Sequence, residues 1–133
     1  MKAHDLMAKA VRAAISAKVL LESGDADGAC NRAYYAMFDA ARAALLASGA
    51  AVQPEIARTH SGLISVFSLY LVKTGRVSVD LGKALNKAEE LRLIADYKGD
   101  PIDKEDAIWA VSQAEAFVQT MQTTFPPRGA GGK

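Results

Sequence analysis

A single cysteine, Cys30, stands among the 133 residues. That excludes an intrachain disulfide framework and a cysteine-rich zinc site. Histidine is nearly as scarce, with His4 and His60 the two examples, and no His-Glu-x-x-His run is present. A glycine-rich phosphate loop and a nucleophile elbow are missing too. Nothing in the chain therefore calls for a metal or a cofactor. An excess of either charge is absent: 16 Lys and Arg stand against 15 Asp and Glu, a formal net charge of +1. This removes the general electrostatic case for nucleic-acid binding and leaves room only for a local basic patch. Long apolar runs are missing as well. "LISVFSLYLV" falls short of the roughly 20 residues that span a bilayer, and "MKAHDLMAKAV" lacks the continuous apolar core of a secretory signal. These absences predict a soluble, cytoplasmic protein with no membrane segment.

What the chain has is helical period. Half its residues are hydrophobic, enough for a real core in one compact domain. A first helix is predicted over about Ala3 to Glu22, with Leu6, Ala10, Ala13, Ala17, Leu20 and Leu21 inward and Lys9, Arg12 and Ser16 opposite. Gly24 supplies a left-handed stop and Asp25 a cap. The second helix, about Asp27 to Ala47, carries an apolar stripe of Tyr34, Met37, Phe38, Ala41 and Leu45. Its many alanines let neighbours approach closely. "AAVQPEIAR" reads as a loop or short turn. A third helix begins at Thr59 or Ser61, with Leu63, Val66, Phe67, Tyr70 and Leu71 inward. The fourth covers about Val79 to Tyr97. The fifth follows Asp103, with Asp106 at the capping-box position, Ile102 placed for a staple, and Ala107, Ala110, Val111, Ala114, Val118 and Met121 inward. Short connections favour antiparallel neighbours. The expected fold is all-α, an up-and-down bundle of about five helices over residues 1–125, with 126–133 as a disordered tail.

Several polar residues interrupt the apolar faces. Arg92 falls on or at the edge of the inner face of the fourth helix, where a charge needs partners. Asp96, one turn on, and Asp39, across on the second helix, are the candidates. Either Arg92 forms a structural bridge, or its planar fork is held ready for a phosphate. His60 starts the inner stripe of the third helix. A helix N-terminus disfavours the imidazolium, so His60 is a neutral capping or core histidine, or a base near neutral pH. Asn31 begins the apolar stripe of the second helix. Beside it, Arg32, Tyr35, Asp39 and Arg42 form either a solvated charged face or a site lining. Trp109 lies off the inner stripe of its helix, either from a register slip or because it belongs to an interface.

At these residues the chain resembles a known family. "NRAYYAMFDAARAALL", "THSGLISVFSLYLVKTG" and "LRLIADY", in that order, are similar to the small prokaryotic HEPN-domain proteins, and the likeness runs from about Leu6 to Phe125. The resemblance implies a HEPN-like bundle that forms a homodimer and works near RNA or nucleotides. Many relatives pair with a minimal nucleotidyltransferase in toxin–antitoxin systems. Others are metal-independent ribonucleases that use an arginine followed, after four to six residues, by a histidine. Here Arg92 matches the arginine, but Tyr97 stands where the histidine belongs. His60 is the remaining histidine able to take that role, if the fold brings it to Arg92. By this carry-over the catalytic candidates are Arg92, His60 and Tyr97, and the binding candidates are Asn31, Arg32, Tyr35, Asp39 and Asp96. Three functions follow as expectations, in order: the toxin-side or nucleotide-binding partner of a nucleotidyltransferase, a degenerate HEPN ribonuclease, and a non-catalytic structural dimerisation module.

Overall fold

The computed structural model describes residues 2–126, and within them the chain is helical with no strand. Helix α1 (Ala3–Glu22) turns through Gly24, at φ +91°, into α2 (Ala26–Ser48). Asp25 caps α2 by accepting the Gly28 N–H at 2.8 Å. A short helix α3 (Pro54–Arg58) leads to α4 (His60–Phe67), followed by α5 (Val79–Tyr97) and α6 (Lys104–Thr124). The expected loop at "PEIAR" is thus a helical turn, begun by Pro54, which suits a first helical position because its missing N–H would be unpaired there anyway. Residues 127–133, most of the expected tail, lie outside the described residues.

Helix α2 is the spine. It packs against α1, α4, α5 and α6. Ala29, Ala33, Ala36, Ala40, Ala43 and Ala44 are all buried, and side chains this small let flanking helices close onto the backbone of α2. Larger side chains fill the remaining space. Phe67 of α4 meets Phe117 of α6 with ring centroids 5.6 Å apart. Phe117 is fully buried and joins the inner face expected for α6.

Two local expectations change. After Phe67 the chain widens into a π-helical turn, Ser68–Val72, in which Lys73 N–H reaches back to the Ser68 carbonyl at 2.8 Å. The wider turn shifts the helical phase. Leu71 stays buried, while Tyr70 turns outward and Val66 is only partly covered. At α6, Asp103 makes no side-chain cap bond, so no capping box forms. The Ile102 N–H donates instead to Asp27 Oδ1 of α2 at 2.9 Å, which ties the start of α6 to the spine.

The α3–α4 junction sets where His60 goes. Thr59 Oγ1 accepts the Gly62 N–H at 3.0 Å and donates to the Ile56 carbonyl at 3.2 Å. A Cβ on Gly62 would overlap both the Ile56 carbonyl oxygen and Thr59 Oγ1. One of these is backbone and cannot swing away. Gly62→Ala should therefore lower stability by about 1–2 kcal/mol despite alanine's better helix propensity, as read by denaturant unfolding. An unchanged or raised unfolding free energy would show that the junction is not tight.

Candidate functional site

Tyr34 is at the centre of the site. It is fully buried on α2, one residue before Tyr35 and four before Phe38. From α4, the His60 imidazole lies against all three rings, with centroids 5.4 Å from Tyr34, 5.7 Å from Tyr35 and 4.9 Å from Phe38. Tyr34 Oη and His60 Nδ1 are 2.8 Å apart. From α5, the Arg92 guanidinium lies over the Tyr34 ring at 5.1 Å and the Tyr35 ring at 5.8 Å. Arg92 and His60, 32 positions apart in sequence, thus meet through one tyrosine.

Arg92 is only 5% exposed, so the inner-face position expected for it is right. Its carboxylate partners are Glu89, at 3.7 Å, and Asp96, at 3.5 Å. Both are on its own helix and partly open to solvent. Its Nε is buried and has no hydrogen-bond partner among the described residues. Asn31 holds Asp96 from α2, with Nδ2 at 3.3 and 3.4 Å from the two carboxylate oxygens. Arg32 places its guanidinium 5.6 Å from the Tyr35 ring. Asn31, Arg32, Tyr35, Asp96 and His60 therefore gather around Arg92.

Asp39 does not partner Arg92. It is 8% exposed and bridges Arg42 at 3.9 Å. It lines a groove with Lys9 and Arg12 of α1. Seven residues beyond Asn31 on a helix nearly return to the same face, but the eighth, Asp39, is turned about 80° round from Asn31, towards α1. Tyr97, at the end of α5, is 77% exposed and makes no hydrogen bond or ring contact with the cluster among the described residues. Trp109 is partly buried against the core, with Lys87 Nζ 4.6 Å from its ring, so it belongs to the α5–α6 edge. Sequence reading placed Tyr34 in the core stripe and overlooked Glu89. The three-residue step from Glu89 to Arg92 was the available signal.

The site's protons follow from this geometry. Burial, then the Arg92 cation, lower the His60 pKa below the ordinary imidazole value, with Glu89 opposing. His60 is therefore neutral at pH 7. Burial raises the Tyr34 phenol far above its usual range, so that hydroxyl keeps its hydrogen. We assign that hydrogen to His60 Nδ1, 2.8 Å away, the acceptor within reach of it among the described residues. A neutral imidazole accepting at Nδ1 carries its own hydrogen on Nε2. His60 thus presents an N–H donor on its far side. Cys30, by contrast, is buried and its thiol is pushed up to about 11, which suits packing and not nucleophilic attack. Among the described residues no three His, Cys, Asp or Glu side chains gather as metal ligands would, and no helix is long and apolar enough to cross a membrane.

Comparison with known proteins adds a family. The HEPN domain model matches residues 3–123. The "UPF0332 protein glr0978" of Gloeobacter violaceus is 35% identical over 118 residues, covering 87% of this chain and 90% of its own. The protein named "Putative toxin MJ0605" of Methanocaldococcus jannaschii is 36% identical over 107 residues, covering 80% and 76%. A "UPF0332 protein" of Thermotoga maritima is 36% identical, covering 80% and 77%.

Two measurements test the site's physics. Arg92→Ala should cost about 3 kcal/mol of unfolding free energy. This is the low end for breaking a buried pair, because Glu89 and Asp96 can rehydrate. A loss under about 1 kcal/mol would mean that Arg92 is not braced by the fold. For His60, the unfolded chain takes up a proton near pH 6.5 and the folded protein only at lower pH. The unfolded state then binds more protons as pH falls through that range, so this contribution to stability is complete above about pH 6.5 and is lost towards the folded pKa. Wild type should lose more stability than His60→Gln between neutral and mildly acidic buffer. Equal losses would refute the neutral assignment.

Proposed function

The chain belongs to the HEPN-domain family, and from that premise we propose that it is the toxin-side subunit of a toxin–antitoxin-type pair. Its partner in this reading is a minimal nucleotidyltransferase, and it works as a homodimer that binds RNA or nucleotide phosphate at the Arg92–His60 face. The name of the Methanocaldococcus jannaschii relative supports the toxin assignment. The observation that carries the binding site is the convergence of His60 and Arg92 on Tyr34. Where Tyr97 departs from the family's histidine, the approach of His60 from α4 to the same tyrosine as Arg92 supports this reading.

The groups divide the work. Arg92 is too covered to grip a ligand head-on. It holds the tyrosine pair and, second to burial, favours neutral His60, so it is a positioning residue. His60 Nε2–H and Arg32 offer donors to a phosphate oxygen. The Tyr35 ring, partly exposed between them, supplies a stacking surface for a base. Glu89 and Asp96 offset the two arginines, so the face is close to neutral and relies on shaped donors and stacking more than on bulk attraction.

Ribonuclease action by His60 as a base would need the opposite tautomer, with Nε2 bare and the Tyr34 hydrogen left without an acceptor. Binding is therefore the better supported reading. His60→Phe keeps a ring in the aromatic box and removes the donor. It should weaken binding of a single-stranded RNA oligonucleotide at least about tenfold, the loss of one good charge-assisted contact, measured at a temperature where the variant is still folded, since leaving the Tyr34 hydroxyl unpaired costs about 1–3 kcal/mol of stability. On this reading a minimal nucleotidyltransferase is encoded beside the gene, expression of the chain alone arrests growth, and co-expression of that partner relieves the arrest. Undiminished binding by His60→Phe would sink the site. Metal-free RNA cleavage that His60→Gln abolishes would replace the binding reading with the ribonuclease one.

A further inference from the structure

The chain is close to neutral, with 16 Lys and Arg against 15 Asp and Glu, yet its cations gather along one side of α2. The groove between α1 and α2, about 560 Å³, is walled by Lys9, Arg12 and Arg32. A second cavity of about 290 Å³, between the end of α2 and α3, has Arg42 and Arg58 in its walls. The two meet around Asp39: burial raises its pKa, and Lys9, Arg42 and Arg32 pull against that. Asp39 is the one carboxylate among the residues lining the two.

Asp39 offsets these cations poorly. It is buried, and burial draws it towards its neutral form. Its ion pair with Arg42 is long, at 3.9 Å. Lys9, Arg12, Arg32 and Arg58 make no ion pair among the described residues. A contiguous surface of one sign on a neutral chain is the footprint of a polyanion.

Two rings interrupt the line of cations. Arg32 lies over Tyr35 at 5.6 Å and Arg42 over Phe38 at 5.7 Å. Tyr35 and Phe38 meet edge to face, 6.2 Å between centroids, with His60 against both. The order along α2 is cation, ring, ring, cation, over about 15 Å at a helical rise of about 1.5 Å per residue. Phe38 is buried, so Tyr35 is the ring left partly open. This alternation suits a nucleic-acid strand, in which phosphates need cations and unpaired bases need a ring face. An acidic protein would use the cations and leave Tyr35 idle. A duplex would keep its bases stacked on one another, away from Tyr35. A free nucleotide on Tyr35 sends its phosphate one way. A strand runs on both ways, into the α1 groove past Arg32 and towards α3 past Arg42.

We infer that Lys9, Arg12, Arg32, Arg42 and Arg58 form the track of a single-stranded RNA, with backbone phosphates on the cations and one unpaired base on Tyr35 beside His60. This rests on the binding reading above and selects a polynucleotide over a free nucleotide as the ligand.

Fluorescence anisotropy on the full chain tests it, with a dinucleotide and with an RNA of about ten nucleotides, each over a salt series. The longer RNA should bind at least about tenfold more tightly. Its log Kd should rise with log salt at about 0.7 per phosphate neutralised, a slope of at least about 2 for this track. Arg12→Ala and Arg58→Ala remove exposed cations from the α1 and α3 ends, and alanine suits both helices. Each should lower the slope by about 0.7 and weaken the longer RNA about fivefold in about 0.1 M salt, the worth of one phosphate contact. Equal affinity for both lengths would overturn the track and keep the Arg92–His60 site. So would a slope that both variants leave unchanged while His60→Phe still weakens binding. Polyglutamate of matched charge bound as tightly as the RNA would assign the cations to an acidic protein instead. A wild type that binds no RNA would overturn the track and the binding reading together.

Discussion

Tyr34 ties the candidate site together because it is engaged from two sides at once. Its hydroxyl holds His60 and its ring face carries Arg92, so one α2 side chain joins α4 to α5. Neither partner has a comparable anchor elsewhere. His60 opens a helix of eight residues behind a tight Thr59–Gly62 junction. Arg92 reaches its carboxylates only at 3.5 and 3.7 Å, long for charge-assisted bonds. Without Tyr34 the imidazole would lose its orientation, and the guanidinium would lose the aromatic surface that offsets its burial.

Much of the fold was legible in the sequence because helix boundaries and core faces are local properties. The limits of α1 and α5 agree with the periodicity, and Thr59 caps α4 as its residue type implies. The failures are where a local rule met a non-local one. Tyr70 was assigned inward on an unbroken 3.6-residue period, and the π-helical turn at Ser68–Val72 broke that period. Asp103 has the right identity for a capping box, but the N-terminus of α6 is tied to Asp27. At the site, Arg92 was recognisable as a charge on an apolar face. Its partner across the bundle was not, since α2 offers both Asn31 and Asp39 and only the packing decides that Asn31 faces α5. The meeting of His60 with Arg92 depends on how α4 docks on α2, which no spacing along the chain records.

Helix α2 therefore has two polar margins with different physics. On the α5 side, Asn31 and Tyr35 share a layer with half-open carboxylates. On the α1 side, Asp39 is a buried carboxylate whose pKa burial raises, against the opposing pull of Lys9, Arg42 and Arg32. Burial is the larger effect even with three cations near. The groove over Asp39 is thus positive at its rim but does not hold a strongly solvated ion pair at its floor. Such a rim is better placed to meet an acidic surface than to bind a free anion deeply.

Arg32 stands on the boundary between these margins. Its guanidinium lies over Tyr35, and the same residue lines the basic groove beside α1. One cation cannot serve a phosphate at Tyr35 and the Asp39 carboxylate at full strength together. In the proposed binding reading, a ligand that draws Arg32 towards Tyr35 takes from Asp39 one of the three cations that oppose the effect of its burial, so the carboxylate is protonated more readily. The coupling is reciprocal: protonating Asp39 frees Arg32 for the ligand by the same factor. It runs through one side chain and is lost in Arg32→Ala.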